Sequence, residues 1–139
     1  MNKSHQDENL RFPLAVDASS TRIQVGIPTE LDWVHVETVE LPAMEGLFQA
    51  ISRLMEKTGT NPGGVGELFF CEGPGSTLGL RITAAFAKTL LWEGRGKISL
   101  YSYNALDLAS RMTDQPLLHL QAPFRKGWRF VRTHSKTSA

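Results

Sequence analysis

The sequence has one cysteine, no long apolar run and almost no excess of either charge. Because Cys71 is the single thiol, an intramolecular disulfide and a zinc site built on several cysteines are both excluded. No stretch approaches the roughly 20 apolar residues of a membrane span. The polar start of the chain also lacks the apolar segment of a signal peptide. We therefore expect a cytoplasmic protein with no membrane partner.

The balance of charge argues against direct recruitment of nucleic acid. With 15 Lys and Arg against 14 Asp and Glu, the formal net charge is +1. A domain that attracts RNA through its surface field is more strongly basic than this. We therefore expect any contact with RNA to be indirect, through a partner protein.

Changes in the hydrophobic period predict the secondary structure. Three short β-rich runs between residues 14 and 41 predict an antiparallel meander. Apolar residues at spacings of three and four then predict a helix over 42–58, which Gly59 ends. The continuous apolar run at 68–71 predicts a strand buried on both faces, with an inert, packed Cys71 within it.

Helices and strands alternate in the second half of the chain. A second helix ends near Trp92, a strand follows over 98–103, and a third helix runs to Met112. Two further strands, 117–120 and 128–131, predict a hairpin. This order predicts an α/β fold with one lobe, built on a mixed five-stranded sheet with helices on both faces.

Two segments of the chain carry a family resemblance. Residues 14–20 read Leu-Ala-Val-Asp-Ala-Ser-Ser, and residues 73–82 read Gly-Pro-Gly-Ser-Thr-Leu-Gly-Leu-Arg-Ile. The first resembles the opening Leu-Ala-Ile-Asp-Thr-Ser of the bacterial TsaB (YeaZ-like) family, also called M22 glycoprotease-like. The second is similar to that family's Gly-Pro-Gly-Ser-Phe-Thr-Gly-Leu-Arg-Ile. The resemblance covers roughly residues 13–131.

The resemblance implies the first lobe of an actin-like ATPase (ribonuclease H-like) fold. It divides the middle of the chain into the lobe at 12–112 and a hairpin remnant of a second lobe at 113–132. Polar composition without periodicity predicts disordered tails at 1–11 and 133–139. Members of the family are non-catalytic subunits for threonylcarbamoyladenosine formation in tRNA. They pair with the catalytic protein TsaD through helices of the first lobe. The resemblance thus implies no catalytic residue, metal or cofactor, and a TsaD-like protein or a second copy as partner.

A phosphate-binding loop is one candidate site. Proteins with the actin-like fold hold magnesium-bound nucleotide on an aspartate, hydroxyl groups and turn amides of this kind. The candidates here are Asp17, Ser19, Ser20, Gly73, Gly75 and Ser76. The alternative is structural: Asp17 closes its own turn, and the glycines permit a tight turn between strand and helix. The segment lacks the Gly-Lys-Ser/Thr ending of a P-loop.

A helical surface for pairing is the second candidate site. Small residues at helical spacing in the second helix let another helix approach closely, and apolar residues of the first helix extend the surface. The candidates are Met44, Leu47, Phe48, Ile51, Gly79, Arg81, Thr83, Ala84, Ala87 and Lys88. The alternative is that both stripes only cover the sheet.

Two other functions stay open on the sequence. The chain could be a half-length ATPase that binds ATP and Mg²⁺ as a homodimer through Asp17 and the glycine segment. It could also be a degenerate homodimeric structural protein, since it departs from the family pattern at Ala43-Met44, Thr77-Leu78 and Pro123-Phe124.

Overall fold

A computed structural model describes residues 11–112, 117–125 and 128–135. The strands are β1 (Phe12–Asp17), β2 (Ile23–Pro28), β3 (Trp33–Val39), β4 (Val65–Gly73), β5 (Ser99–Asn104), β6 (Leu117–Arg125) and β7 (Trp128–Ser135). The helices are α1 (Ala43–Thr58), α2 (Thr77–Glu93) and α3 (Ala105–Arg111). A 3-10 turn, Pro62–Gly64, precedes β4.

The first five strands form one mixed sheet in the order β3-β2-β1-β4-β5. The meander β1–β2–β3 is antiparallel, and β4 and β5 join β1 in parallel. The predicted antiparallel meander and the predicted mixed five-stranded sheet are both confirmed. The strands β6 and β7 form a separate antiparallel pair. Since β7 continues to Ser135, part of the expected tail 133–139 is strand, and the expected tail 1–11 lies almost wholly outside the described residues.

Helix α1 forms where the apolar period predicted it. Pro42 precedes its first turn, and Gly59 ends it with a φ of 67°, a conformation that glycine adopts without a steric penalty. Its apolar stripe packs on β2 and β3. Leu47 and Leu54 are completely buried there. Burial of each such side chain stabilises the fold by about 1.5–3 kcal/mol.

Helix α2 lies beside α1 on the same face of the sheet. The Ser76 hydroxyl caps it by accepting a hydrogen bond from the Gly79 amide at 3.1 Å. Phe86, Ala87 and Leu90 join the core formed by α1 and the strands. The buried Thr83 hydroxyl donates to the Gly79 carbonyl oxygen one turn earlier, so its burial leaves no unpaired polar group.

Helix α3 covers part of the opposite face. Asn104 caps it by accepting from the amides of Leu106 and Asp107. The helix contacts β5 and β4, and its Leu108 lies with Ala15, whose side chain points away from α1 and α2. Helices on both faces of the sheet are thus confirmed, although α3 covers only one side of the second face.

A buried carboxylate joins β3 to α1. Glu37 is 7% exposed, and its Oε1 lies 2.6 Å from Lys57 Nζ and 2.7 Å from His35 Nε2. Hydrogen bonds, first from Lys57 and then from His35, lower the pKa of Glu37 below its ordinary value. The ionised form is therefore the one that the fold stabilises.

We predict that Glu37→Gln destabilises the protein at neutral pH and that the difference disappears in acid. A carboxylate with a lowered pKa in the folded state contributes stability above its unfolded pKa. That contribution is lost as pH falls through the folded pKa. Thermal unfolding from pH 7 to pH 3 measures the effect. Glu40→Gln, an exposed change of equal charge at the end of β3, is the control. A pH-independent difference between Glu37→Gln and wild type would contradict the prediction.

Among the described residues, none of the helices combines the length and the apolar character needed to cross a bilayer.

Candidate functional site

Asp17 ends β1, and both of its carboxylate oxygens accept hydrogen bonds from the protein. Oδ1 accepts from the Ser19 amide at 2.9 Å and from the Ser19 hydroxyl at 2.6 Å. Oδ2 accepts from the Tyr103 hydroxyl of β5 at 3.2 Å. Burial, followed by the charge of Asp17, raises the pKa of Tyr103, so this phenol stays protonated as a donor. Asp17 therefore closes a turn and ties β1 to β5.

The glycine segment packs directly against that turn. The Ser76 amide donates to the Ser19 carbonyl oxygen at 2.7 Å. A Cβ atom at Gly75 would overlap the Ser19 carbonyl oxygen, and one at Gly79 would overlap that of Ala18. These two positions require glycine because the backbone of the β1–β2 turn occupies the space of a side chain.

The structure thus brings together most of the phosphate-loop candidates, and their polar groups bond one another. Asp17, Ser19 and Ser76 each make hydrogen bonds within the protein. Ser20 is exposed, and its hydroxyl bonds the backbone of Arg22 instead. Gly73 ends β4 with a φ of 105°, which favours glycine. These residues pack the β1–β2 turn against the start of α2.

Half of the predicted pairing surface lies in the core. Leu47, Ile51, Gly79, Thr83 and Ala87 are buried. Met44, Phe48, Arg81, Ala84 and Lys88 are exposed. Met44 and Phe48 lie one turn apart on α1, with 57% and 56% of their surface exposed. The exposed residues of α2 likewise recur at spacings of three and four. Each helix thus has a second face that does not cover the sheet.

Two apolar residues beside this surface are absent from the predicted set. Leu41 and Leu78 are exposed, and both line a groove between the starts of the two helices. A signal for Leu78 was its position in the first turn of α2, out of phase with the buried stripe. We call the exposed set the α1–α2 surface. It consists of Leu41, Met44, Phe48, Leu78, Arg81, Ala84 and Lys88.

Known proteins resemble this chain in structure and not detectably in sequence. No protein-family model and no curated protein matches it. Among solved structures, YeaZ from Pseudomonas aeruginosa superposes with a TM-score of 0.73 at 16% identity. A second structure, described as an uncharacterized protein with similarity to the peptidase YEAZ from the same organism, gives 0.72, also at 16% identity. Both alignments cover 91% of this chain and 60% of the other.

The lobe has the YeaZ-like, actin-like fold. At 16% identity the likeness establishes the arrangement of helices and strands, and function needs its own argument. The chain spans 60% of the length of these structures.

We predict that Gly79→Ala destabilises the protein by about 2 kcal/mol or more. Helix propensity alone predicts that the substitution stabilises the protein, since alanine favours a helix over glycine by about 1 kcal/mol. The methyl group would overlap the Ala18 carbonyl oxygen, and neither backbone segment can move without disturbing the core. Urea unfolding measures the change. Ala84→Gly, at an exposed position of the same helix, is the control for propensity. A stabilised Gly79→Ala variant would show that there is space for a methyl group between α2 and the Ala18 carbonyl oxygen.

We also predict no saturable binding of Mg²⁺–ATP by this chain. Binding would have to compete with the hydrogen bonds that Asp17 and Ser76 already make. Isothermal titration with ATP, with and without magnesium, measures this. Magnesium-dependent binding that is lost in a folded Asp17→Ala variant would contradict the prediction and support the half-length ATPase.

Proposed function

We propose that this chain is a non-catalytic, TsaB-like partner subunit in the threonylcarbamoyladenosine modification of tRNA. It pairs through the α1–α2 surface with a TsaD-like catalytic protein or with a second copy of itself. The observation that carries the proposal is the YeaZ-like fold over 91% of the chain, together with an exposed second face on both helices.

The chemistry of the described residues supports a binding role. The polar groups where a nucleotide would be expected form internal hydrogen bonds instead. Burial raises the pKa of the Cys71 thiol, which disfavours the reactive thiolate.

The α1–α2 surface supports a particular kind of partner. Its α1 part contributes the apolar side chains of Met44 and Phe48, each more than half exposed. Its α2 part adds two exposed cations, Arg81 and Lys88, on either side of Ala84. Clusters of this composition are typical of protein–protein interfaces, where apolar residues at the centre contribute most of the binding energy. We expect the partner's surface to be apolar at its centre and acidic at one edge.

We predict that this chain co-elutes with the TsaD-like protein of its own organism and that Phe48→Asp breaks the complex. A buried charge without a partner, together with a lost aromatic contact, should weaken binding at least ~30-fold. Light scattering on a sizing column measures the complex. Leu31→Asp, which removes an apolar side chain exposed to 98% in the β2–β3 turn, is the matched control.

A second assay connects the complex to the modification. Omitting the chain from a reconstituted threonylcarbamoyl transfer to tRNA should abolish product, and Phe48→Asp should behave like omission. If Phe48→Asp still co-elutes with the TsaD-like protein and supports undiminished product formation, α1 is not part of the interface. Absence of any complex with the wild-type chain would refute the TsaD pairing.

A further inference from the structure

The formal net charge of +1 is the sum of two oppositely charged segments. Residues 115–139 contain five Lys and Arg and no Asp or Glu. Residues 1–114 contain ten Lys and Arg against fourteen Asp and Glu, which gives them a net charge of −4. The near-neutral total, on which the expectation of indirect RNA contact rests, therefore conceals a segment of charge +5. A charge asymmetry of this kind is typical of proteins that bind a polyanion such as nucleic acid.

The basic segment contains an antiparallel ribbon. Strands β6 and β7 pair with each other as a two-stranded sheet, distinct from the five-stranded sheet. Arg129 and Arg132 lie in β7, where they pair with Pro123 and Leu120 of β6. Arg125 ends β6 at the turn of the ribbon. These three arginines are therefore held on the half of the ribbon that includes its turn.

The ribbon is open to solvent between two of these arginines. Val131 lies between Arg129 and Arg132 in β7, and 58% of its surface is exposed. Residues two apart on a strand belong to the same side of it, so Arg129 belongs to the side on which Val131 is exposed. This side of the ribbon is accessible to a ligand.

Helix α3, which contacts both strands of the ribbon, brings no net charge to the contact. It carries one carboxylate, Asp107, and one guanidinium, Arg111. A single carboxylate can neutralise only one of the five cations, so an excess of positive charge remains on the segment. Small anions or a polyanionic ligand balance that excess. A nucleic acid has the advantage that its binding releases condensed counterions.

Aromatic residues are interleaved with the cations in the sequence. Phe124, Trp128 and Phe130 each stand next to an arginine. Proteins that hold single-stranded nucleic acid combine a basic surface for the phosphates with aromatic rings on which the bases stack. The bases of a duplex are already stacked on one another. The pattern therefore favours a single strand as the ligand.

We propose that the β6–β7 ribbon binds single-stranded nucleic acid, with its cations on the phosphates and its aromatic residues on the bases. RNA and DNA share this chemistry of a phosphodiester backbone and unpaired bases. The negative charge of residues 1–114 repels the same strand and confines it to the ribbon. The ribbon contains none of the residues of the α1–α2 surface, and the inference does not rest on the proposed function.

The number of cations sets the expected salt dependence. Each phosphate neutralised on a single strand contributes about −0.7 to the slope of log K against log salt. With about four phosphates contacted, the slope is about −3, and the affinity falls roughly 50-fold between about 50 and 200 mM salt. We expect a dissociation constant of about 1–100 µM at physiological salt, which is the range of sequence-independent binding.

Fluorescence anisotropy across a salt series measures this binding, with labelled RNA and DNA strands of one sequence and about 16 nucleotides. Arg129→Gln with Arg132→Gln should reduce the magnitude of the slope by about 1.4. Arg129→Lys with Arg132→Lys retains both charges and should keep the slope. The matched control is Arg95→Gln with Lys97→Gln, which removes two exposed cations outside the ribbon and should change neither slope nor affinity. The strand that binds more tightly identifies which nucleic acid is the ligand.

Base stacking is tested by a separate pair of variants. Trp128→Leu should weaken binding about tenfold without changing the salt slope, because a stacking contact involves no counterion. Trp128→Phe keeps an aromatic ring and should bind like wild type. Circular dichroism and thermal unfolding confirm that each variant is folded.

Four results would overturn the proposal. The first is no saturable binding of either strand at about 50 mM salt and protein concentrations up to about 1 mM. The second is a loss of slope in the Arg95 and Lys97 variant as large as in the ribbon variant. The third is competition by polyglutamate, or by vesicles containing phosphatidylserine, that is as strong as competition by unlabelled RNA. The fourth is tighter binding of a duplex than of either single strand.

Discussion

This lobe depends on one constraint: the backbone of the β1–β2 turn packs directly against the backbone at the start of α2. The Ser19 carbonyl oxygen accepts a hydrogen bond from Ser76, and Gly79 lies against the carbonyl of Ala18. Strand β1 is at the centre of the sheet, and α2 follows its parallel neighbour β4. The contact therefore fixes where α2 begins, and through it how α2 lies against α1 and the core.

The same constraint decides what the polar residues of the turn do. Asp17 and Ser19 have the chemistry of a phosphate-binding loop, but their atoms bond each other and Tyr103. A hydrogen bond that holds a turn has to be broken before the same atoms can hold a ligand. In the described structure these groups therefore hold the turn. Exposed apolar side chains lie instead on the α1–α2 surface, beside the cations Arg81 and Lys88.

Local patterns predicted the elements of the fold, and contacts distant in the chain decided the rest. The apolar period and Gly59 located α1, and Asn104 capped α3, because periodicity and capping are properties of neighbouring residues. The sequence could not tell that Leu47 faces the core while Phe48 faces solvent, because that depends on where the sheet lies. Nor could it show that Gly79 meets Ala18, a contact that exists only after β1, β4 and α2 assemble.

Glu37 has a further consequence, because β3 is an edge strand of the five-stranded sheet. An edge offers unpaired backbone groups to any passing strand, and apolar Val34 and Val36 beside them are exposed. Glu37 points inward, where Lys57 of α1 holds its charge. A foreign strand that pulled β3 out of register would separate this carboxylate from Lys57 and from His35. A register shift between Ile27 and Pro28 distorts the other end of the same edge. The pair therefore makes displacement of β3 costly, because the displaced strand would leave the Glu37 charge without Lys57.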